Sequence, residues 1–147
     1  MAQEWNTQNI VVTGAASGLG RSICTRFVHL DASVRGIDID KDRLQEVQTV
    51  LGNKFIPVIC DVANWDDVVQ VFSQFPPIDV LVNSAGIVGQ TNIKSHETDP
   101  AEVERVFRIN FLVLITLPRL SCHRCWRADT GGCSTLLQSP AKRAMLG

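Results

Sequence analysis

The chain has 147 residues, of which 45% are hydrophobic and 20% are charged, and its formal net charge is −1. This length predicts one domain that can bury a hydrophobic core, and the near-zero charge gives no indication of a nucleic-acid partner. The first residues do not resemble a secretion signal, and the longest apolar run, Phe111 to Leu117, is too short to cross a bilayer. We therefore expect a soluble, cytoplasmic protein without a membrane partner, whose five cysteines are reduced.

Short apolar segments alternate with segments of helical periodicity along the first 118 residues. The predicted strands are Asn9 to Thr13, Val34 to Asp38, Phe55 to Cys60 and Ile78 to Val82. The predicted helices are Gly18 to Leu30, Lys41 to Leu51, one that follows the cap residue Asn64, and one that begins at Asp99. This alternation predicts an α/β fold with a parallel sheet, helices on both faces and right-handed crossovers.

The first predicted strand runs directly into a glycine-rich turn, Thr13 to Gly20, with glycines at positions 14, 18 and 20. Glycine lets the backbone turn sharply and approach a pyrophosphate, and the start of the next helix supplies N–H groups. The usual dinucleotide spacing is G-x-G-x-x-G, whereas the spacing here is G-x-x-x-G-x-G. The spacing alone leaves a plain strand-to-helix turn as an equal alternative, but the position between strand and helix favours nucleotide binding.

The turn resembles that of the short-chain dehydrogenase/reductase family, T-G-x-x-x-G-x-G, and four further features follow in the family's order. They are Asp38 at the end of the second strand, Asp61-Val62 after the third, Asn83-Ser84-Ala85-Gly86 after the fourth, and Asn110 in the helix that begins at Asp99. The resemblance to the family covers about residues 8–118. The sequence resembles the 3-oxoacyl reductase-like branch of the family only loosely. The family resemblance implies a partial doubly wound, Rossmann-type sheet of order 3-2-1-4 without the later strands, so that the fourth strand would be an unprotected edge.

The resemblance implies a cofactor site built from the turn and from the ends of the strands. An acid at the end of the second strand can accept hydrogen bonds from the adenosine ribose and would repel a 2′-phosphate, so Asp38 favours NAD over NADP. Asp40 is the alternative acid for this role. Asn110 matches the asparagine that in relatives helps hold a water for proton relay. The implied cofactor-binding residues are Gly14, Ser17, Gly18, Leu19, Gly20, Asp38, Asp61, Val62, Asn83, Ala85 and Gly86.

Beyond Asn110, the family's catalytic residues have no counterpart in this sequence. Relatives use a tyrosine as general acid/base, a lysine four residues later and a serine that polarises the substrate oxygen. The lysine matters because an unperturbed tyrosine, with a pKa of about 10, is a poor base at neutral pH. This chain contains no tyrosine. We therefore expect the NAD-binding portion of an oxidoreductase for an alcohol/ketone pair, inactive as this chain. The alternative is a non-catalytic short form that binds NAD or a full-length partner.

The sequence changes in character after Pro118. Residues 1–118 contain nine basic and 14 acidic side chains, whereas residues 119–147 contain five basic and one acidic side chain and three of the five cysteines. We therefore predict a dinucleotide-binding portion, 1–118, and an atypical tail, 119–147, that is disordered or translated out of frame. One permitted coding of Gln138 to Gly147 gives I-S-S-E-A-G-Y-A-G in another frame, which is close to the family's serine strand. The DNA sequence after the Pro118 codon would test this hypothesis.

Other functions of the tail are less well supported by its residues. Zinc requires four well-placed ligands, and one C-x-x-C at Cys122 and Cys125 with Cys133 and His123 nearby is a poor set, so we expect no metal. The basic residues lack stacking aromatics apart from Trp126, so we expect no nucleic acid. Relatives associate through the Asn110 helix and the helix after it, and because only the first is present we do not expect a stable oligomer.

Overall fold

The computed structural model describes residues 5–127 and 134–137. Its strands are β1 (Asn9–Thr13), β2 (Ser33–Asp38), β3 (Phe55–Ile59), β4 (Val80–Asn83) and β5 (Ser134–Leu137). Its α-helices are α1 (Gly18–His29), α2 (Lys41–Leu51), α3 (Trp65–Ser73), α4 (Pro100–Phe107) and α5 (Val113–Arg127), and a π-helical segment, Arg108–Leu112, joins α4 to α5. The described strands are all parallel and lie in the order β3-β2-β1-β4-β5, which confirms the predicted order 3-2-1-4.

The structure differs from the sequence prediction beyond β4. Strand β5 pairs with β4, with Val80 opposite Ser134 and Asn83 opposite Leu137, so β4 is not the edge strand that we expected. Helix α5 also continues past Pro118 to Arg127, across the predicted domain boundary. A four-residue strand is too short to show periodicity, and a proline inside a helix removes a hydrogen bond without necessarily ending the helix. The predictions for residues 128–133 and 138–147 lie outside the described residues.

Hydrophobic side chains cover both faces of the sheet. Because successive side chains of a strand point to opposite faces, Ile10 and Val12 pack on the side of α1 and α2, whereas Val11 packs on the side of α3 and α5. Burial on both faces explains why the strands are nearly continuous apolar segments in the sequence. The consequence for function is a rigid sheet that holds the carboxyl ends of its strands in fixed positions.

Polar side chains cap the first turns of α2, α3 and α4. Asn64 accepts a hydrogen bond from the N–H of Asp66 at 3.2 Å, and Asp99 accepts one from the N–H of Ala101 at 2.9 Å, which confirms both predicted helix starts. Caps of this kind satisfy N–H groups that have no partner within the helix. They fix where the chain leaves each strand end and enters the next helix.

Part of the helical segment from α4 to α5 exposes apolar side chains. Phe111 and Ile115 are about half exposed, at 49% and 52%, whereas Val113 and Leu117 pack against the sheet. Within the described residues, no helix is long and apolar enough to cross a membrane.

Candidate functional site

The glycine-rich turn is packed too tightly for side chains at two of its positions. Gly14 has a φ of +68°, a conformation that favours glycine, and a Cβ built on it would lie 2.8 Å from the Cα of Ala85. A Cβ on Gly20 would lie 2.1 Å from the carbonyl oxygen of Gly14. The first glycine therefore lets the turn contact the loop after β4, and the last lets α1 pack against the turn.

The turn is joined to the loop after β4 by a buried threonine. The Oγ1 atom of Thr13 accepts hydrogen bonds from the N–H groups of Ser84 and Ala85, both at 3.2 Å. β1 and β4 are neighbours in the sheet although they are distant in sequence, and at this point the strand order reverses. In open parallel sheets, ligands bind in the crevice at the carboxyl ends of the strands at such a switch point.

A cleft of about 220 Å³ occupies this position in the structure. Seven of the predicted cofactor-binding residues line it: Gly14, Ser17, Asp38, Asp61, Val62, Ala85 and Gly86. The cleft is completed by residues that the sequence analysis did not assign to a site: Ile37, Ile39, Cys60, Ala63, Ser84, Ile87, Arg105 and Ile109. The turn and the ends of four strands thus meet at one surface.

Four predicted residues do not line the cleft. Gly18 begins α1 with a φ of +50°, Gly20 is buried against the turn, and Leu19 is 43% exposed. Asn83 is buried in β4, and neither polar atom of its side chain has a hydrogen-bond partner among the described residues. The geometry gives Gly18 and Gly20 a role in shaping the turn.

The structure separates the two candidate acids at the end of β2. The carboxylate of Asp38 accepts hydrogen bonds from the N–H of Ala16 at 3.0 Å and from the N–H of Asp40 at 3.1 Å, which holds it beside the glycine turn. Asp40 instead caps α2 by accepting a hydrogen bond from the N–H of Arg43 at 3.1 Å, and its carboxylate pairs with the same arginine. Only Asp38 lines the cleft.

The far wall of the cleft is formed by the loop between β3 and α3. One carboxylate oxygen of Asp61 accepts a hydrogen bond from the N–H of Ala63 at 2.9 Å, which fixes the loop. Burial, together with the negative charges of Asp67 and Asp61, raises the pKa of the Cys60 thiol to about 11. Cys60 therefore stays protonated at neutral pH and serves as a weakly polar part of the wall.

Asn110 connects the π-helical segment to the loop after β4. Its Oδ1 atom accepts a hydrogen bond from the N–H of Ile87 at 2.9 Å, and its Nδ2 atom donates one to the carbonyl oxygen of Ile87 at 2.8 Å. π-Helical segments within α-helices occur frequently at functional sites. The side chain of Asn110 thereby fixes the backbone of a residue that lines the cleft.

Replacing Asn110 with alanine is expected to free the loop after β4. The variant loses both hydrogen bonds, so we expect a free energy of unfolding lower by about 1–3 kcal/mol and faster amide hydrogen exchange at Ile87. Thr116→Ala is the control, because it removes a hydrogen bond to the carbonyl oxygen of Leu112 on the same helical segment without touching the loop. Unchanged exchange at Ile87 in Asn110→Ala would show that the side chain does not hold the loop.

Two further lining residues, Arg105 and Ile109, come from α4 and the π-helical segment. They lie four positions apart and therefore on one face of the helix, which is a signal that the sequence did contain. Among the described residues, no group of three or more histidine, cysteine or acidic side chains could hold a metal ion.

Comparison with known proteins finds the same architecture. The sequence pattern of the family described as short chain dehydrogenase matches residues 8–132, which extends beyond the boundary predicted at Pro118. The solved structure of 3-ketoacyl-(acyl-carrier-protein) reductase from Brucella melitensis, complexed with NADH, is similar, with a TM-score of 0.79 and 28% identity. The similarity covers 89% of this chain and 56% of that chain.

Two curated proteins are similar in sequence. The chain is 30% identical over 118 residues to a probable NADP-dependent dehydrogenase of Haemophilus influenzae, covering 78% of this chain and 46% of that protein. It is 36% identical over 113 residues to 3beta-hydroxysteroid dehydrogenase 2 of Eggerthella lenta, covering 70% of this chain and 42% of that protein. The matched segment therefore spans less than half the length of either relative.

Proposed function

This chain belongs to the short-chain dehydrogenase family, and we propose that its cleft binds a nicotinamide adenine dinucleotide, with NAD favoured over NADP. The observation that carries the proposal is the position of the Asp38 carboxylate, which lines the cleft and lies next to the glycine turn. A carboxylate can accept hydrogen bonds from ribose hydroxyls and repels a phosphate on the 2′ oxygen.

The residues at both ends of the cleft fit such a ligand. At one end, α1 begins at Gly18 and the Ser17 side chain makes no capping hydrogen bond, so the first turn of the helix offers N–H groups and a positive dipole to a pyrophosphate. At the other end, the carboxylate of Asp61 keeps one oxygen besides the one that binds Ala63, and this oxygen can accept a hydrogen bond from the adenine amino group. When bound, the nicotinamide accepts or donates a hydride.

We further propose that the complete protein is an oxidoreductase for an alcohol/ketone pair and that these 147 residues do not catalyse the reaction. Proton transfer to or from the substrate oxygen needs a group positioned next to it. The chain has no tyrosine to serve as that group, and Asn110 uses both polar atoms of its side chain to hold Ile87. The substrate-specific part of the site would then be supplied by sequence that this chain does not contain.

Calorimetric titration of the full chain with ADP-ribose and with its 2′-phosphorylated analogue tests the binding proposal. We expect ADP-ribose to bind at least about tenfold more tightly, because the analogue brings extra negative charge towards Asp38. Tighter binding of the analogue would contradict the preference for NAD, and failure of both compounds to bind would contradict the site itself. Oxidation of NADH by the purified chain with a panel of ketones would contradict the proposed lack of turnover.

A further inference from the structure

Arg105 contributes a positive charge to the mouth of the cleft. The residue lies in α4, one helical turn before Ile109, and both residues line the cleft. Ile109 is buried, whereas Arg105 is exposed at the rim. The helix face that lines the cleft therefore carries a guanidinium where the cleft opens to solvent.

The guanidinium of Arg105 has no carboxylate partner among the described residues. Three other arginines of the described residues do have partners: Arg108 pairs with Glu104 at 2.8 Å, Arg43 pairs with Asp40 at 3.3 Å, and Arg35 lies 5.6 Å from the ring centre of Phe75. None of the ion pairs found there includes Arg105, although Asp61 lines the same cleft. The side chain is thus available to a ligand.

The position of Arg105 indicates which part of a ligand it would meet. A second hollow, of about 560 Å³, adjoins the cleft and shares with it Asp61, Ala63 and Arg105, but not Gly14 or Ser17. Arg105 therefore borders the end formed by the loop between β3 and α3, away from the glycine turn where a pyrophosphate would lie. The proposed function puts the pyrophosphate at the glycine turn and the adenosine ribose at Asp38, so the adenine base would lie beyond Asp38, at this end of the cleft.

We infer that the guanidinium of Arg105 stacks on the adenine base of the bound dinucleotide and contributes to its affinity. A guanidinium is planar and weakly hydrated, so it binds to the face of an aromatic ring more readily than a lysine ammonium does. Arg105 acts here as a binding residue and takes no part in proton or hydride transfer. This inference rests on the proposed function, because it requires an adenine dinucleotide in the cleft.

Titration of the full chain with ADP-ribose and with AMP tests the inference. We expect Arg105→Ala and Arg105→Lys each to weaken the binding of both compounds about three- to fivefold, since the exposed stacking contact is lost in both variants. Arg108→Ala is the matched control, because Arg108 lies in the next turn of the helical segment and lines only the adjoining hollow. It should bind both compounds as the unmodified chain does.

The possible outcomes separate the inference from the function on which it rests. Binding by Arg105→Ala that equals that of the unmodified chain would overturn the inference and leave the proposed function intact. Full affinity in Arg105→Lys, together with weakened binding in Arg105→Ala, would also overturn it, because charge alone would then explain the effect. Failure of the unmodified chain to bind ADP-ribose would contradict both the proposed function and the inference.

Discussion

Gly14→Ala is expected to lower the free energy of unfolding by about 2–5 kcal/mol and to abolish the binding of ADP-ribose. A left-handed conformation costs a residue with a Cβ about 1–2 kcal/mol, and forcing an extra methyl group into packed surroundings costs about 1–3 kcal/mol more. At Gly14 both penalties apply, because its φ is +68° and the new Cβ would lie 2.8 Å from backbone atoms of Ala85. The backbone must therefore shift, and the shift opens the junction between the glycine turn and the loop after β4.

Gly52→Ala provides a control at a second glycine with a positive φ. Gly52 has a φ of +73°, but a Cβ built on it meets no atom within 4 Å. We expect Gly52→Ala to cost only the conformational term, about 1–3 kcal/mol, and to leave the binding of ADP-ribose unchanged. Equilibrium urea denaturation of the two variants and of the unmodified chain measures the difference. Loss of ADP-ribose binding in Gly52→Ala as well would mean that the close approach of Gly14 to Ala85 is not what the binding site requires.

The elements that the sequence predicted well are those with strong local signals. A strand buried on both faces is a continuous apolar segment, and for that reason the strand at Asn9 was predicted with its observed bounds. Asn64 and Asp99 were predicted as helix caps because the capping group lies in the same few residues as the N–H group that it binds. Strand β5 was missed because a four-residue strand depends on its neighbour β4 for its hydrogen bonds and shows no pattern of its own.

The candidate site was predicted in part, and the missing part depends on contacts between distant residues. Resemblance to the family favoured Asp38 over its rival Asp40, but the hydrogen bond from the N–H of Ala16, across 22 positions, which holds the Asp38 carboxylate beside the glycine turn, could not be read from the sequence. Resemblance to the family identified Asn110 but not its partner Ile87, which lies 23 residues earlier in the chain. The spacing of Arg105 and Ile109 predicts a shared helix face, but nothing local in the sequence shows that this face borders the cleft, whose other walls come from distant segments.

Asp38→Asn is expected to change which dinucleotide the chain prefers. The substitution keeps the size of the side chain and one oxygen that can accept hydrogen bonds, and it removes the negative charge. At about 5 Å and an effective dielectric constant of about 20, two unit charges repel by about 3 kcal/mol, which solvent and salt reduce. We therefore expect 2′-phosphorylated ADP-ribose to bind at least about tenfold more tightly to the variant than to the unmodified chain. ADP-ribose should bind about tenfold less tightly, because hydrogen bonds to a charged acceptor are the stronger ones.

Asp40→Asn removes the same charge two residues further along, from a side chain outside the cleft. Asparagine caps a helix about as well as aspartate, so the hydrogen bond from the N–H of Arg43 should be kept and the start of α2 preserved. The ratio of the two affinities should then stay at its original value, because this carboxylate faces Arg43 and not the ligand. An equal change of this affinity ratio in Asp38→Asn and Asp40→Asn would show that discrimination between the two ligands depends on the general negative charge of this segment. A ratio that moves only in Asp40→Asn would assign the role to Asp40, against the geometry that places Asp38 beside the glycine turn.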